Sequence, residues 1–427
     1  MSQSTPIAAK PLLEDCFAHD PKRMPAREAL DLLRERVSRV VGTEMVGLDQ
    51  AYGRFLAEDL AADRDVPAFT NVAVDGYAFA HQSLEADGPS RLSLQAGRSA
   101  AGQPYEGRVG QGRALRVLTG GALPDGADTA LMQEDVVIDG DHVLIPAGVK
   151  RGANCRLAGE DMKKGQKILS PPHRLRPQEI GVAAALGRTS LDVFEPLKVA
   201  LVSSGDEIVP PGRPLAHGMT YDSNSAILKG LMTPLGVDLS DQGIWPDRAD
   251  VIQQGLADLA GAHHAIITSG GASKGDEDHM INAVAAQGQL HFWQIAVKPG
   301  RPLALGQIDG TIFIGLPGNP VAAMVCFLLF ARPVLTALAG GGWTEPRSFL
   351  VPADFSMKKK PGRREYLRAR LVTGEDGLSR VHKIEREGSG ILTSLTEADG
   401  LIDVAEDVTS ITPGDPLPFL PFSGFGL

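Results

Sequence analysis

Residues 310–325 read GTIFIGLPGNPVAAMV, a strand-like apolar run that enters the turn Leu316-Pro317-Gly318-Asn319-Pro320 and leaves it as a helix. Asn319 suits a helix N-cap, and Pro320 suits the first helical position, where its missing N–H costs nothing. Such a turn turns backbone N–H groups and the positive end of the helix dipole toward an anion. It serves equally well as a stiff connection that binds nothing, so the motif alone leaves two readings open.

Working outward, residues 196–342 carry the alternation of a parallel α/β sheet. Lys198 to Val202 reads as a buried strand before Gly205, a helix follows Asn224, VDLSDQGI (237–244) is a strand, Arg248 to Leu259 is amphipathic, and HAIITSGG (264–271) is a strand with a glycine turn. Ligands in doubly wound sheets sit beyond the carboxyl ends of the strands, where SSGDE (203–207) and SGGASKGDED (269–278) both fall. Toward the N-terminus, Met24 to Val41 has Pro25 near its first turn and apolar residues at Leu30, Leu33, Val37 and Val40, which predicts one amphipathic helix. From about Val46 to Leu169 short β-like stretches such as RALRVL and HVLIPA alternate with Gly, Pro and Asp turns. A helix-capable piece, 170–191, is expected to pack back on the first helix. From about Thr344 the pattern is again β-like, with a basic start, KKKPGRREYLRARL (358–371).

Composition narrows the classes. At 427 residues the chain exceeds one hydrophobic core and should form three or four units. Hydrophobic residues at 43% and charged residues at 22% describe a globular protein rather than a disordered or fibrous one. The longest apolar run, Val321 to Phe330, is expected to be too short for a bilayer before Arg332 and Pro333 close it. The start, MSQSTPIAAKPLLEDC, lacks a secretory pattern, so a cytoplasmic location is expected. Cys16, Cys155 and Cys326 lack CxxC spacing, which disfavours a disulfide framework or thiolate metal site. A net charge of −10 offers nucleic acid no general attraction, and an anionic ligand needs a local site. HExxH, GxxxxGK[ST] and GxSxG motifs do not occur.

The glycine loops hold the candidate chemistry. Gly270, Gly271 and Gly275 permit close backbone approach to a ligand, while Asp276, Glu277 and Asp278 offer hard oxygen donors; the alternative is a solvated acidic helix start. Asp206 and Glu207 add carboxylates, and Asp247 reads either as a ligand or as a cap for the next helix. Lys298 and Arg301 in VKPGRP either balance phosphate charge or are solvated surface residues.

Together these segments resemble the molybdopterin molybdenumtransferase family, which includes the gephyrin E domain. The resemblance is carried by NVAVDGYAF, RVLTGGALPDGADTALMQEDV, GANCRLAGEDMKKGQ, VALVSSGDEIV, YDSNSAIL, SGGASKGDEDH, KPGRP, FIGLPGNPVAA and GRREYLRARL, in family order over nearly the whole chain. It implies an α/β multidomain fold in four parts: a discontinuous helical linker (1–45 plus 166–195), a β-rich domain (46–165), a doubly wound molybdopterin-binding domain (196–343) and a C-terminal β-barrel (344–427). It implies a homodimer, with Asp75, Thr119, Arg156 and Asp161 contributed by the partner's β-rich domain. On the α/β side it implies Glu207, Asp247, Asp278, Lys298, Pro317 and Pro320, with Ser269, Gly270, Gly271, Gln294, Arg301, Gly318 and Asn319 around the substrate. Asp75, Thr119, Asp161, Glu207, Asp247, Asp278 and Lys298 are the expected catalytic set, and Asp247 and Asp278 the expected Mg2+ ligands. The implied reaction inserts molybdate into adenylylated molybdopterin and releases AMP. Three departures stand out: Gln294 where many members carry lysine, Asp399 for asparagine and Val74 for methionine. Two rival readings are the companion adenylyltransferase, also a candidate partner, and a gephyrin-like scaffold; neither nucleic acid nor membrane is expected as a partner.

Overall fold

The computed structural model describes residues 24–270, 279–300 and 302–427, apart from the side chains of 292–294 and 302. The chain divides into two compact units, one formed by Met1–Ala57, Pro171–Arg176 and Ser190–Leu427, the other by Glu58–Ser170 and Pro177–Thr189. The helix Pro177–Ala185 therefore falls in the unit that holds the β-rich segment, and the helix Ala26–Arg36 in the other.

In the smaller unit a six-stranded sheet runs in the order Thr129–Met132, Gly76–Phe79, Arg113–Val117, Ser90–Ser99, His142–Ile145, Val137–Asp139. Its sequence alternation becomes two packed faces. Phe79, Ala114 and Leu131 enter one core cluster, and their neighbours Ala78 and Ala130, with Val117, enter another.

The larger unit is built on a six-stranded sheet ordered Asp238–Trp245, Lys198–Ser204, Ala265–Ser269, Thr311–Leu316, Pro302–Ile308, Gln289–Gln294. The first four strands are parallel. Alternate residues again go to opposite cores: Val199, Leu201, Ile267 and Ile314 pack with residues of the helices Ser223–Met232 and Pro320–Leu338, whereas Ala200, Val202, Ile266 and Phe313 pack with Ile252, Leu256, Met280 and Val284 of the helices Ala249–Leu259 and His279–Gln287. This is the expected doubly wound arrangement, with one difference. Pro302–Ile308 runs antiparallel to both its neighbours, and against Thr311–Leu316 this follows from Asp309 (φ 45°) and Gly310 (φ 87°), which close a two-residue hairpin into Thr311. Both central residues of such a turn need positive φ, which Asp-Gly tolerates.

Two local expectations are corrected. The first helix spans only Ala26–Arg36, with Pro25 as its N-cap; Val37 is already extended, and Val40 N–H donates to Leu338 O at 3.0 Å instead of continuing the helix. Nor do Arg332 and Pro333 close the apolar run. The helix continues from Pro320 to Leu338, has a mean hydropathy of 2.1 and is 94% buried, as a core helix must be. A π-helical turn, Phe327–Ala331, precedes Pro333, where the wider spacing relieves the clash of the proline ring with the preceding turn.

The C-terminal strands of the same unit form an antiparallel sheet, ordered Arg364–Thr373, Gly400–Val404, Pro416–Pro421, Phe349–Pro352, with Ser379–Lys383 on the outer edge of Arg364–Thr373. The two ends meet where Ala353 bridges Val381 and Asp354 N–H donates to Val381 O, closing a barrel around Ile402, Val404 and Phe419. Asp399 does there what an asparagine would: its Oδ2 accepts from Leu371 N at 2.8 Å.

Candidate functional site

A cleft of about 1310 Å³ opens at the carboxyl ends of the parallel strands, between them and the C-terminal barrel, wholly inside the larger unit. Four strand-end loops reach it: Asp247 after Asp238–Trp245, Ser204, Gly205 and Glu207 after Lys198–Ser204, Ser269 and Gly270 after Ala265–Ser269, and Pro317 to Pro320 after Thr311–Leu316. The cleft thus gathers Glu207, Asp247, Ser269, Gly270, Lys298, Pro317, Gly318, Asn319 and Pro320 from the sequence-expected set. Gly271, Asp278 and Arg301 lie outside the described residues, as does the Gln294 side chain.

The loops are held together by a residue that sequence reasoning passed over. Asn224, 8% exposed in the first turn of Ser223–Met232, donates through Nδ2 to Ser269 Oγ at 2.7 Å and to Gly318 O at 2.6 Å. One amide therefore joins the helix start to two glycine loops. Asp222 caps the same helix by accepting from Ser225 N at 3.0 Å. Gly270 is required at its position: at φ 91° a Cβ would stand 2.4 Å from Ser204 O, closer than any side chain allows. Asn319 is the N-cap of the core helix, as expected, but its side chain makes no capping hydrogen bond. Asp247 does not cap its helix, for which Arg248 is the N-cap; its backbone N–H donates to Asp206 Oδ1 at 3.0 Å, which fixes the loop at the cleft edge.

The opposite wall comes from the barrel and was not foreseen as part of the site. Arg363, Tyr366, Arg368, Lys383 and Glu387 line it, and Lys298 joins them, because Val297–Lys298 pairs with the barrel strand Arg364–Thr373. Its only trace in the sequence was the basic stretch KKKPGRREYLRARL. Arg368 is 9% exposed and donates to Ser394 Oγ, Arg386 O and Gly388 O at 3.1, 2.8 and 3.3 Å; burial pulls its pKa down. Lys383 pairs with Glu387 at 2.8 Å, and this pairing holds the Glu387 carboxyl below its ordinary range. The cleft is consequently bipolar. Glu207, Asp222 and Asp247 stand on the strand-end side, while Lys298, Arg363, Arg368 and Lys383 stand on the barrel side, where the single carboxylate among the described lining residues, Glu387, is paired with Lys383.

The remaining expected residues belong to the smaller unit. Asp75 Oδ1 accepts from both the N–H and the hydroxyl of Thr119 at 2.7 Å, and the backbone bond, then the hydroxyl bond, lowers its pKa. Gly120 and Gly121 of the same loop bond both backbone groups of Val72, whose strand Asn71–Val72 pairs with Cys155–Arg156. Asp75, Thr119 and Arg156 are thereby gathered around one short strand. Asp161 lies further along, its N–H donating to Val66 O at 3.1 Å.

Comparison with known proteins agrees with this architecture. Residues 24–187 match the MoeA N-terminal region (domain I and II), 200–337 a probable molybdopterin binding domain, and 351–422 the MoeA C-terminal region (domain IV). A molybdopterin molybdenumtransferase of Haemophilus influenzae is 33% identical over 405 residues, covering 93% of this chain and 98% of that protein. Molybdopterin molybdenumtransferase 2 of Mycobacterium tuberculosis is 33% identical over 87% of this chain and 93% of its own length. The solved molybdopterin biosynthesis moeA protein of Pyrococcus horikoshii superposes with a TM-score of 0.79 at 29% identity, covering 93% of this chain and all of that one. With relatives at this identity along nearly its full length, the chain belongs to the molybdopterin molybdenumtransferase family.

Proposed function

We propose that the bipolar cleft binds adenylylated molybdopterin and that the enzyme inserts molybdate there with release of AMP, yielding molybdenum cofactor. The supporting observation is the pairing of a carboxylate wall with a cationic wall across one cleft. A phosphoanhydride needs cation-assisted departure at one point and capture of an oxyanion at another. In this reading the Pro317–Pro320 turn offers the backbone N–H groups of Gly318 and Asn319 to the substrate phosphates. Lys298, Arg363, Arg368 and Lys383 receive the oxyanion and offset the overall charge of −10 where the chemistry occurs.

The residues present fit magnesium. Glu207 and Asp247 supply carboxylate oxygens, and the described cleft lining contains neither cysteine nor histidine. No cluster of three or more acidic, His or Cys residues is poised for a metal among the described residues. Magnesium does not require one, since it commonly takes one or two carboxylates and fills its sphere with water and phosphate oxygens. Asp247 and Asp278 would hold it, and bound magnesium would polarise the link between AMP and the molybdopterin phosphate.

Incubation with adenylylated molybdopterin, magnesium and molybdate tests the assignment: AMP release is expected to depend on molybdate, and mass spectrometry should find molybdenum on the pterin. Binding without molybdate-dependent release would favour the scaffold reading, and formation of the adenylylated compound from ATP the adenylyltransferase reading. We further propose a homodimer of four-domain subunits in which Asp75, Thr119, Arg156 and Asp161 serve the partner's cleft. Full activity from a monomer at low concentration would remove that part. A cytoplasmic setting suits Cys155 and Cys326, both free thiols, and the companion adenylyltransferase is the proposed donor of the substrate.

A further inference from the structure

Lys298 lines the cleft, but the carboxylate that holds it does not. The short strand Val297–Lys298 pairs in parallel with Arg364–Thr373, placing Lys298 in register with Glu365, and Arg364 N–H donates to Ala296 O at 2.8 Å. Successive strand residues face opposite ways. Arg364 lies on the strand face of Tyr366, away from the barrel core of Ile402 and Val404, where it grips Asp403 through two bonds at 2.6 and 2.8 Å and reaches Glu406 at 3.2 Å. Glu365 turns to Lys298, its Oε2 3.2 Å from the ammonium nitrogen; its side chain is 6% exposed, against 48% for Lys298. By contrast Glu387, the partner of Lys383, itself lines the cleft.

We propose that Glu365 is a positioning residue for molybdate insertion: its buried carboxylate holds the Lys298 ammonium at the cleft wall before the oxyanion arrives. The proposal rests on the reading of Lys298 as an oxyanion-binding cation given above. An ammonium has three donors, so one bond to Glu365 leaves two for substrate. A lysine stem loses much rotamer freedom when its head is fixed, and fixing it beforehand removes that loss from the binding step. Without Glu365 the other carboxylate that acts on Lys298 is Glu387, already paired with Lys383, so the freed ammonium would lose its fixed place at the cleft wall. Glu365 carries a charge that opposes an anion, yet the lysine stands between it and the cleft, which makes tethering the larger effect.

Molybdate titration of AMP release separates the outcomes in Glu365→Gln, Glu365→Asp, Lys298→Ala and the Lys298→Ala/Glu365→Gln double variant, each checked for folding by thermal unfolding. Glu365→Gln should raise the half-saturating molybdate concentration about tenfold and change the maximum rate less than about threefold. Glu365→Asp should recover most of the loss. On the Lys298→Ala background, Glu365→Gln should add less than about twofold, because its effect passes through the lysine. A drop in maximum rate with half-saturation unchanged would mark Glu365 as merely structural, and full additivity would also overturn the proposal. If Lys298→Ala alone leaves the titration unchanged, the assignment of Lys298 in the proposed mechanism fails; if Lys298→Ala is impaired and Glu365→Gln is not, only the positioning role fails.

Discussion

Asp247→Asn is expected to lower magnesium-dependent AMP release by about 10²–10³-fold while leaving the protein folded. The residue sits half-buried on the loop between Asp238–Trp245 and Ala249–Leu259 and contributes nothing to either core cluster of the sheet. Its backbone N–H bond to Asp206 helps to position the loop, and the amide variant keeps that bond. Substitutions away from cores and buried polar networks usually move stability by less than about 0.5 kcal/mol. The amide preserves shape and one oxygen but loses the charge that a hard divalent cation requires. The measurement is AMP release against magnesium concentration: a variant needing no more magnesium than the native enzyme, at an unchanged rate, would place the cation elsewhere.

Asn224→Asp should damage the cleft about as severely through a different route. The substitution is nearly isosteric, so packing is kept, but the Nδ2 donor becomes an oxygen facing Gly318 O. A buried donor lost against an acceptor costs about 1–3 kcal/mol, more when the replacement is charged. The greater loss is in geometry. With Asn224 gone, neither Ser269 nor Gly318 is tied to the helix start, and displacement of about 1 Å in positioning groups costs about 10²-fold in rate. Thermal unfolding together with kcat/KM checks both parts. Asn224→Ala, which removes the donor without adding charge, should lose less stability than Asn224→Asp while losing comparable activity; native kcat/KM in either variant would refute the tie.

The reach of the sequence depended on whether the information was local. Strand ends, glycine turns and the alternation of apolar residues over 196–342 are short-range patterns set by backbone periodicity, and they located the parallel sheet and the strand-end loops that line the cleft. The same loops offered Glu207, Asp247 and Lys298, to which the family motifs gave roles, and the fold does bring them together. Local patterns failed where a distant contact competed with them. The first helix stops at Arg36 because Val40 bonds the far end of the core helix. That core helix passes Pro333 because burial on all sides favours continuing it, with a π-helical turn absorbing the ring. The Asp309-Gly310 turn was legible in principle, and overlooking it hid the antiparallel strand.

What only the tertiary structure decided is which charges meet. Asn224 looks like an ordinary helix-start residue until Ser269 and Gly318 come within reach of one amide. Arg363 and Arg368 read as part of a basic stretch at the start of a β-rich tail, and Lys383 not at all, until barrel closure sets all three across from the strand ends. Glu365 pairs with Lys298 across 67 residues of chain, a separation that no sequence period spans. Backbone propensity and apolar periodicity act over a few residues and so could be read from the chain itself, whereas the electrostatic character of the cleft arises from groups far apart in sequence and exists only once the sheet and barrel have folded against each other.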